Sequence, residues 1–117
     1  MNTLIILNDP PYGTERSYNG LRLASALLKN DPSGKLTVFL MADAVLCAKK
    51  GQKTPDGFYN IERMLRRVTL GKGDILLCGT CMDARGIQDA DVADGARRST
   101  MDELAAATVA ADKVIVF

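Results

Sequence analysis

Short, unbroken apolar runs recur along this chain, and the residues between them carry helical periodicity. Thr3-Leu4-Ile5-Ile6-Leu7-Asn8 is the first run, Lys35 to Met41 the second, Asp74 to Cys78 the third and Lys113 to Phe117 the last. A continuous apolar run, as opposed to strict alternation, marks a strand covered on both faces. Between the first two runs, Leu21, Ala24, Leu27 and Leu28 form the apolar stripe of a helix. Strands alternating with helices predict an α/β fold, a three-layer sandwich with a mostly parallel sheet of about five strands, flavodoxin- or Rossmann-like.

Punctuation residues set the boundaries. Asp9-Pro10-Pro11-Tyr12-Gly13 stops the first strand, and Thr14 offers an N-cap hydroxyl for a helix through about Lys29. Asn30-Asp31-Pro32-Ser33-Gly34 is a turn. Asp43 to Lys50 reads as a short helix closed by Gly51, and Gln52 to Phe58 as a loop. Asn60 caps a helix from Ile61 to about Leu70, which Gly71 to Gly73 end. Between Ile87 and Arg98 the pattern weakens to a loop, a short helix and a short strand. Ser99 or Thr100 then starts a helix to about Ala111, with Glu103 completing a capping box.

The 117 residues fit one domain, spanning 1–117. A net charge of +1 gives no global reason for nucleic acid or an anionic membrane as partner. Aromatic residues make up 5% and tryptophan is absent, which argues against a stacking platform for single strands. No apolar run reaches the length of a bilayer span, and the first run has no basic lead of the signal-peptide kind. The expectation is a cytoplasmic protein whose thiols stay reduced.

Histidine is absent, so Cys-His dyads, Ser-His-Asp triads and His-containing zinc sites are excluded within one chain. Three cysteines remain. Cys47 lies in the apolar helical segment Ala44-Val45-Leu46-Cys47-Ala48 and reads as core. Cys78-Gly79-Thr80-Cys81 lies where the third strand ends, on the edge where open α/β sheets bind ligands. A helical turn beginning after Cys78 would stabilise its thiolate through free amides, and Arg85 adds a cation nearby. Packing alone would also suit both residues. One C-x-x-C supplies two ligands where structural zinc wants four, so no metal and no cofactor are expected. Two thiols at this spacing can relay sulfur or exchange disulfides. Pro10-Pro11-Tyr12-Gly13-Thr14 is a second loop on the same edge, either a plain turn and cap or, through Tyr12 and Gly13, the wall of a thiol pocket. Charge is uneven: residues 49 to 72 carry seven basic and two acidic side chains, residues 73 to 103 three basic and seven acidic. A solvated helix face is the simple reading, and partner docking the other.

Asp9-Pro10-Pro11-Tyr12-Gly13-Thr14, Phe39-Leu40-Met41-Ala42-Asp43-Ala44-Val45, Cys78-Gly79-Thr80-Cys81-Met82-Asp83-Ala84-Arg85-Gly86 and the terminal Ala111 to Phe117, in this order, resemble the DsrE/DsrF-like family, within it the small YchN-like branch. The resemblance covers essentially the whole chain. It implies the DsrEFH-like sandwich, assembled as homo-oligomers, trimers or hexamers. It implies a sulfur carrier or sulfurtransferase-like protein that holds sulfane sulfur as a persulfide, between donor and acceptor carrier proteins. The carrier cysteine of such relatives corresponds to Cys78, judged by its distance to Arg85-Gly86, and Cys81 is a further cysteine typical of the branch. Tyr12, Gly13 and Arg85 are the expected substrate-binding residues, with Cys78 and Cys81 the catalytic ones. A dithiol redox protein and a non-catalytic anion- or partner-binding module are the alternatives.

Overall fold

Five strands pair in parallel in the computed structural model, which describes residues 1–117. They are β1 (Asn2–Leu7), β2 (Lys35–Leu40), β3 (Asp74–Cys78), β4 (Ala96–Ser99) and β5 (Lys113–Val116), in the order β4-β3-β2-β1-β5. The helices are α1 (Arg16–Asn30), α2 (Ile61–Leu70), α3 (Gly79–Asp83) and α4 (Met101–Ala110). Two 3-10 segments, Ala42–Ala48 and Asp89–Asp91, lie in the connections.

Chain order fixes the layers. Steps from β1 to β2 to β3 all move one way across the sheet, so right-handed crossovers put α1 and α2 on one face. The return from β4 to β5 carries α4 across the other. Register then aligns the core: Leu7 pairs with Leu40 and Leu40 with Leu77, and all three are fully buried. Cover is unequal on the two faces. Only Leu104 of α4 is buried. On the α4 side of β5, Val114 and Val116 remain 43% and 63% exposed, and Val109 on the helix itself 88%.

Three local expectations change. First, α1 begins at Arg16 with Glu15 at the cap position, not at Thr14. The Thr14 hydroxyl donates to Asp9 Oδ2 at 3.1 Å and accepts from the Arg16 N–H at 3.2 Å, because Gly13 (φ +96°) turns the chain before helical geometry can start. Second, the segment expected as a helix over Asp43 to Lys50 is a 3-10 helix ending at Ala48. Lys49 leaves it extended because it pairs with Val92 in an antiparallel bridge. Third, the capping box at Thr100 is half formed. Thr100 accepts the Glu103 N–H at 3.1 Å, but the Glu103 carboxylate takes both Arg97 nitrogens (3.0 and 2.8 Å) and the Ser99 hydroxyl (2.9 Å). A bidentate charged pair outbids a single neutral N–H. Those donors, Arg97 first, hold the Glu103 carboxyl down at about 2.

Asn60 caps α2 as expected. Its Oδ1 accepts the Arg63 N–H at 3.1 Å, and its Nδ2 donates to the Gln52 carbonyl at 3.0 Å, so one buried side chain fixes both the helix start and the preceding loop. Asn60→Ala removes both bonds and is expected to lower stability by about 1–2 kcal/mol in urea unfolding. A loss below about 0.3 kcal/mol would mean that the cap carries no weight.

Candidate functional site

Register brings the thiols to their place. Leu40 pairs with Leu77, so the residues after β2 and those after β3 leave the sheet side by side at its carboxyl edge. After β2 come Met41 and Ala42; β3 ends on Cys78, and the single turn of α3 follows. Cys78 is the N-cap residue of α3, in extended backbone geometry. Gly79 follows where a larger residue would have to displace its neighbours. A Cβ there would lie 2.9 Å from Arg98 Nε and 3.0 Å from the Ser99 carbonyl.

Cys78 is 4% exposed, and Cys81 is half-buried. Burial pushes the Cys78 thiol up, but four donors act against it: the Thr80 hydroxyl, the Cys81 thiol, and the N–H groups of Cys81 and Thr80. The Thr80 hydroxyl lies 3.3 Å from Cys78 Sγ. The donors win, and the thiol falls below the ordinary value of 9.0. Cys81 moves the other way. Burial raises it first, and the bond it gives to Cys78 raises it further; the Ala42 N–H, 3.3 Å from Cys81 Sγ, and the Arg85 charge pull it down by less. The two thiols are thus shifted in opposite directions, and the negative charge is favoured on Cys78.

Arg85 does not sit on the Cys78 sulfur. Its Nε donates to Asp43 Oδ1 at 2.9 Å and its Nη1 to the Cys81 carbonyl at 3.1 Å, so its influence falls on Cys81. The cation whose charge couples to Cys78 is Arg98, from β4. Arg98 packs over Gly79 and closes a bidentate pair with Asp83 of α3 at 2.9 and 2.8 Å. Tyr12 and Gly13 lie on the same sheet edge but make no hydrogen bond with either thiol. The Tyr12 hydroxyl donates to Gln52 Oε1 at 2.6 Å and accepts the Ile61 N–H at 3.1 Å, which pins the 52–60 loop to the 9–14 loop. Its ring belongs to an aromatic group with Tyr59 and Phe58, at centroid distances of 5.8 and 6.2 Å. Cys47 is fully buried, its thiol is pushed up to about 12 by burial, and its Sγ points to the Asp9 carbonyl at 3.8 Å.

Four participants escaped the sequence reading: Thr80, Arg98, Ala42 and Asp43. The first two had a signal. A glycine beside a cysteine announces close approach of another group, and a hydroxyl two residues past a thiol is within its reach. Ala42 had none, since its φ of +51° is a position where alanine is disfavoured by about 1–2 kcal/mol.

The DsrE/DsrF-like family model matches residues 1–117. The chain belongs to the DsrE/DsrF-like family. Within it the chain is 44% identical over 114 residues to the protein YchN of Escherichia coli, covering 97% of each. It is 34% identical over 118 residues to an uncharacterized protein of Methanocaldococcus jannaschii, covering all of both. The crystal structure of YchN superposes with a TM-score of 0.95 at 43% identity, over 99% of this chain and 98% of that one. A protein of unknown function from Methanobacterium thermoautotrophicum shares the fold, with a TM-score of 0.78 at 13% identity over 99% and 97% of the two chains. The five-stranded all-parallel α/β architecture is therefore that of the DsrE/DsrF-like family, and membership supports a sulfur-relay-related role at the level of the family.

The thiols are expected to react in a fixed order. Iodoacetamide on the native protein should modify Cys78 first and at the lowest pH, Cys81 later, and Cys47 only after unfolding. Peptide mass spectrometry over a pH series reads the order. Native-state modification of Cys47, or Cys81 ahead of Cys78, would contradict the geometry.

Proposed function

We propose that this chain is a sulfur carrier with sulfurtransferase-like chemistry, which takes up sulfane sulfur as a persulfide on Cys78 and passes it on in a relay. The observation that carries the reading is the cradle of donors that lowers the Cys78 thiol against its own burial. The Cys78 thiolate attacks the outer sulfur of a donor persulfide, R–S–SH. A bond forms between Cys78 Sγ and that sulfur, the donor's S–S bond breaks, and the donor leaves as the thiolate R–S⁻ with the electron pair. An acceptor thiolate repeats the same displacement and returns Cys78 to its thiolate. Amides and a hydroxyl can serve either anion, since neither has to lose a proton in the step.

A second reading, a dithiol redox protein, draws on the opposite displacement of the two thiols. An N-terminal thiol that ionises early, beside a second that keeps its proton, is the arrangement that makes one sulfur attack and the other resolve.

The partners we propose are copies of this chain and small donor and acceptor carrier proteins, in the cytoplasm. No helix is long and apolar enough to cross a membrane. The valines left open on the α4 side of the sheet support a trimer or hexamer, because a second copy would complete the cover that α4 leaves unfinished. Light scattering at micromolar concentration is expected to give a multiple of the chain mass, and a stable monomer would remove that part of the proposal.

Intact-protein mass spectrometry after incubation with a persulfide donor tests the carrier reading, on the native chain and on Cys78→Ser and Cys81→Ser. The expected result is a gain of whole sulfur atoms, reversed by reductant, lost in Cys78→Ser and kept in Cys81→Ser. Equal loading in Cys78→Ser would overturn the assignment. Loss of two hydrogens on oxidation, with no sulfur gained, would favour the dithiol reading. No change of either kind would leave a binding module.

A further inference from the structure

Ala42 holds a left-handed backbone, with φ +51°, two residues past the end of β2. Nothing in its sequence requires this, so the surroundings impose it. A contact from the other side of the site adjoins it. The Arg85 guanidinium donates through Nε to Asp43, the residue after Ala42, and through Nη1 to the carbonyl of Cys81 itself. One planar group therefore clamps the turn after β2 against the helix after β3. In that clamped position the Ala42 N–H points at Cys81 Sγ across 3.3 Å.

We infer that Arg85 and Asp43 are positioning residues for Cys81: together they hold the left-handed turn whose N–H receives the Cys81 sulfur as an anion, and so prepare Cys81 as the second nucleophile of the site. The inference rests on the reading that this pair of thiols reacts, and it gives Cys81 a defined step. Once Cys78 carries a persulfide, the Cys81 thiolate attacks the Cys78 sulfur. A Cys78–Cys81 bond forms, the bond to the outer sulfur breaks, and hydrosulfide leaves with the electron pair. A dithiol reductant then supplies two electrons and two protons to restore both thiols. Donation by the Ala42 N–H to the sulfur anion matters here because no histidine is present to stabilise the thiolate by taking its proton.

Positioning and direct charge make opposite forecasts. The titratable and charged groups facing Cys81 are Cys78, from the end of β3, and Arg85, which is paired with Asp43; Asp83 of the same helix is taken up by Arg98. In Asp43→Asn the guanidinium loses its counter-ion, so a purely electrostatic role would make Cys81 ionise more readily. A positioning role makes it ionise less readily, because the turn is released and the Ala42 N–H drifts off the sulfur.

The test measures the pH profile of Cys81 alkylation by iodoacetamide in a Cys78→Ser background, where Cys47 stays buried and silent. Arg85→Gln and Asp43→Asn are each expected to move the profile to higher pH and slow the reaction about tenfold at neutral pH, the effect of losing one charge-assisted hydrogen bond. Asp43→Glu should recover part of the rate. The Ala42 amide resonance should titrate in step with Cys81 in the parent and stop doing so in both variants. Unchanged profiles, faster alkylation in Asp43→Asn, or an Ala42 resonance indifferent to Cys81 ionisation would each overturn the inference. Should Arg85→Gln fail to fold, the exposed Asp43 variant and the Ala42 resonance still decide. No sulfur donor enters the experiment, so its outcome is independent of whether Cys78 loads a persulfide.

Discussion

Everything at the site depends on the parallel pairing of β2 with β3. With Leu40 opposite Leu77, both strands end at one level, and the two turns that follow face each other across a few ångströms. Because β3 is covered on both faces, a shift of one residue would exchange the side chains packed on its two sides and take the thiols with it. The fully buried Leu7, Leu40 and Leu77 resist that shift, since each would have to repack against the opposite layer of a close-packed core. The hydrophobic core, to which Cys78 itself belongs, thus sets the geometry of a reactive sulfur.

What the core positions, the backbone activates. Cys78 lies in a place that should raise its pKa, and the chain has no histidine with which to take its proton. Donors supply the remedy: two amides, a hydroxyl and a second thiol. Their combined pull exceeds the penalty of burial, so the thiol falls instead of rising. The arrangement favours sulfur anions over proton transfer, which suits persulfide chemistry. Around it, two Arg–carboxylate pairs brace the neighbouring segments, Arg98 with Asp83 on one flank and Arg85 with Asp43 on the other.

Much of this architecture could be read from the chain. Leu4 to Leu7, Leu36 to Leu40 and Ile75 to Leu77 are unbroken apolar runs because those strands are central and covered on both faces. β4 was harder to see for the converse reason. Ala96-Arg97-Arg98-Ser99 is an edge strand, and its arginines face carboxylates on α3 and α4 instead of a core. Cys78 and Cys81 stood out by spacing, and Asn60 by its cap chemistry. The direction in which Arg85 points was not legible, because proximity in sequence does not fix which of two nearby sulfurs a long side chain serves. The left-handed turn at Ala42 was equally hidden, since the groups that meet it, Cys81 at its N–H and Arg85 at the neighbouring Asp43, lie about forty residues away along the chain. Tyr12 announced a loop on the right edge of the sheet, but its hydroxyl is engaged in holding that loop.

The central claim is that the protein stabilises a thiolate on Cys78 despite burying it. Ultraviolet absorbance of the thiolate, followed against pH in the native protein and in Cys78→Ser, measures this directly. A first ionisation below 9.0 that disappears in Cys78→Ser is expected. A first ionisation at or above that value, or one that survives the substitution, would contradict it.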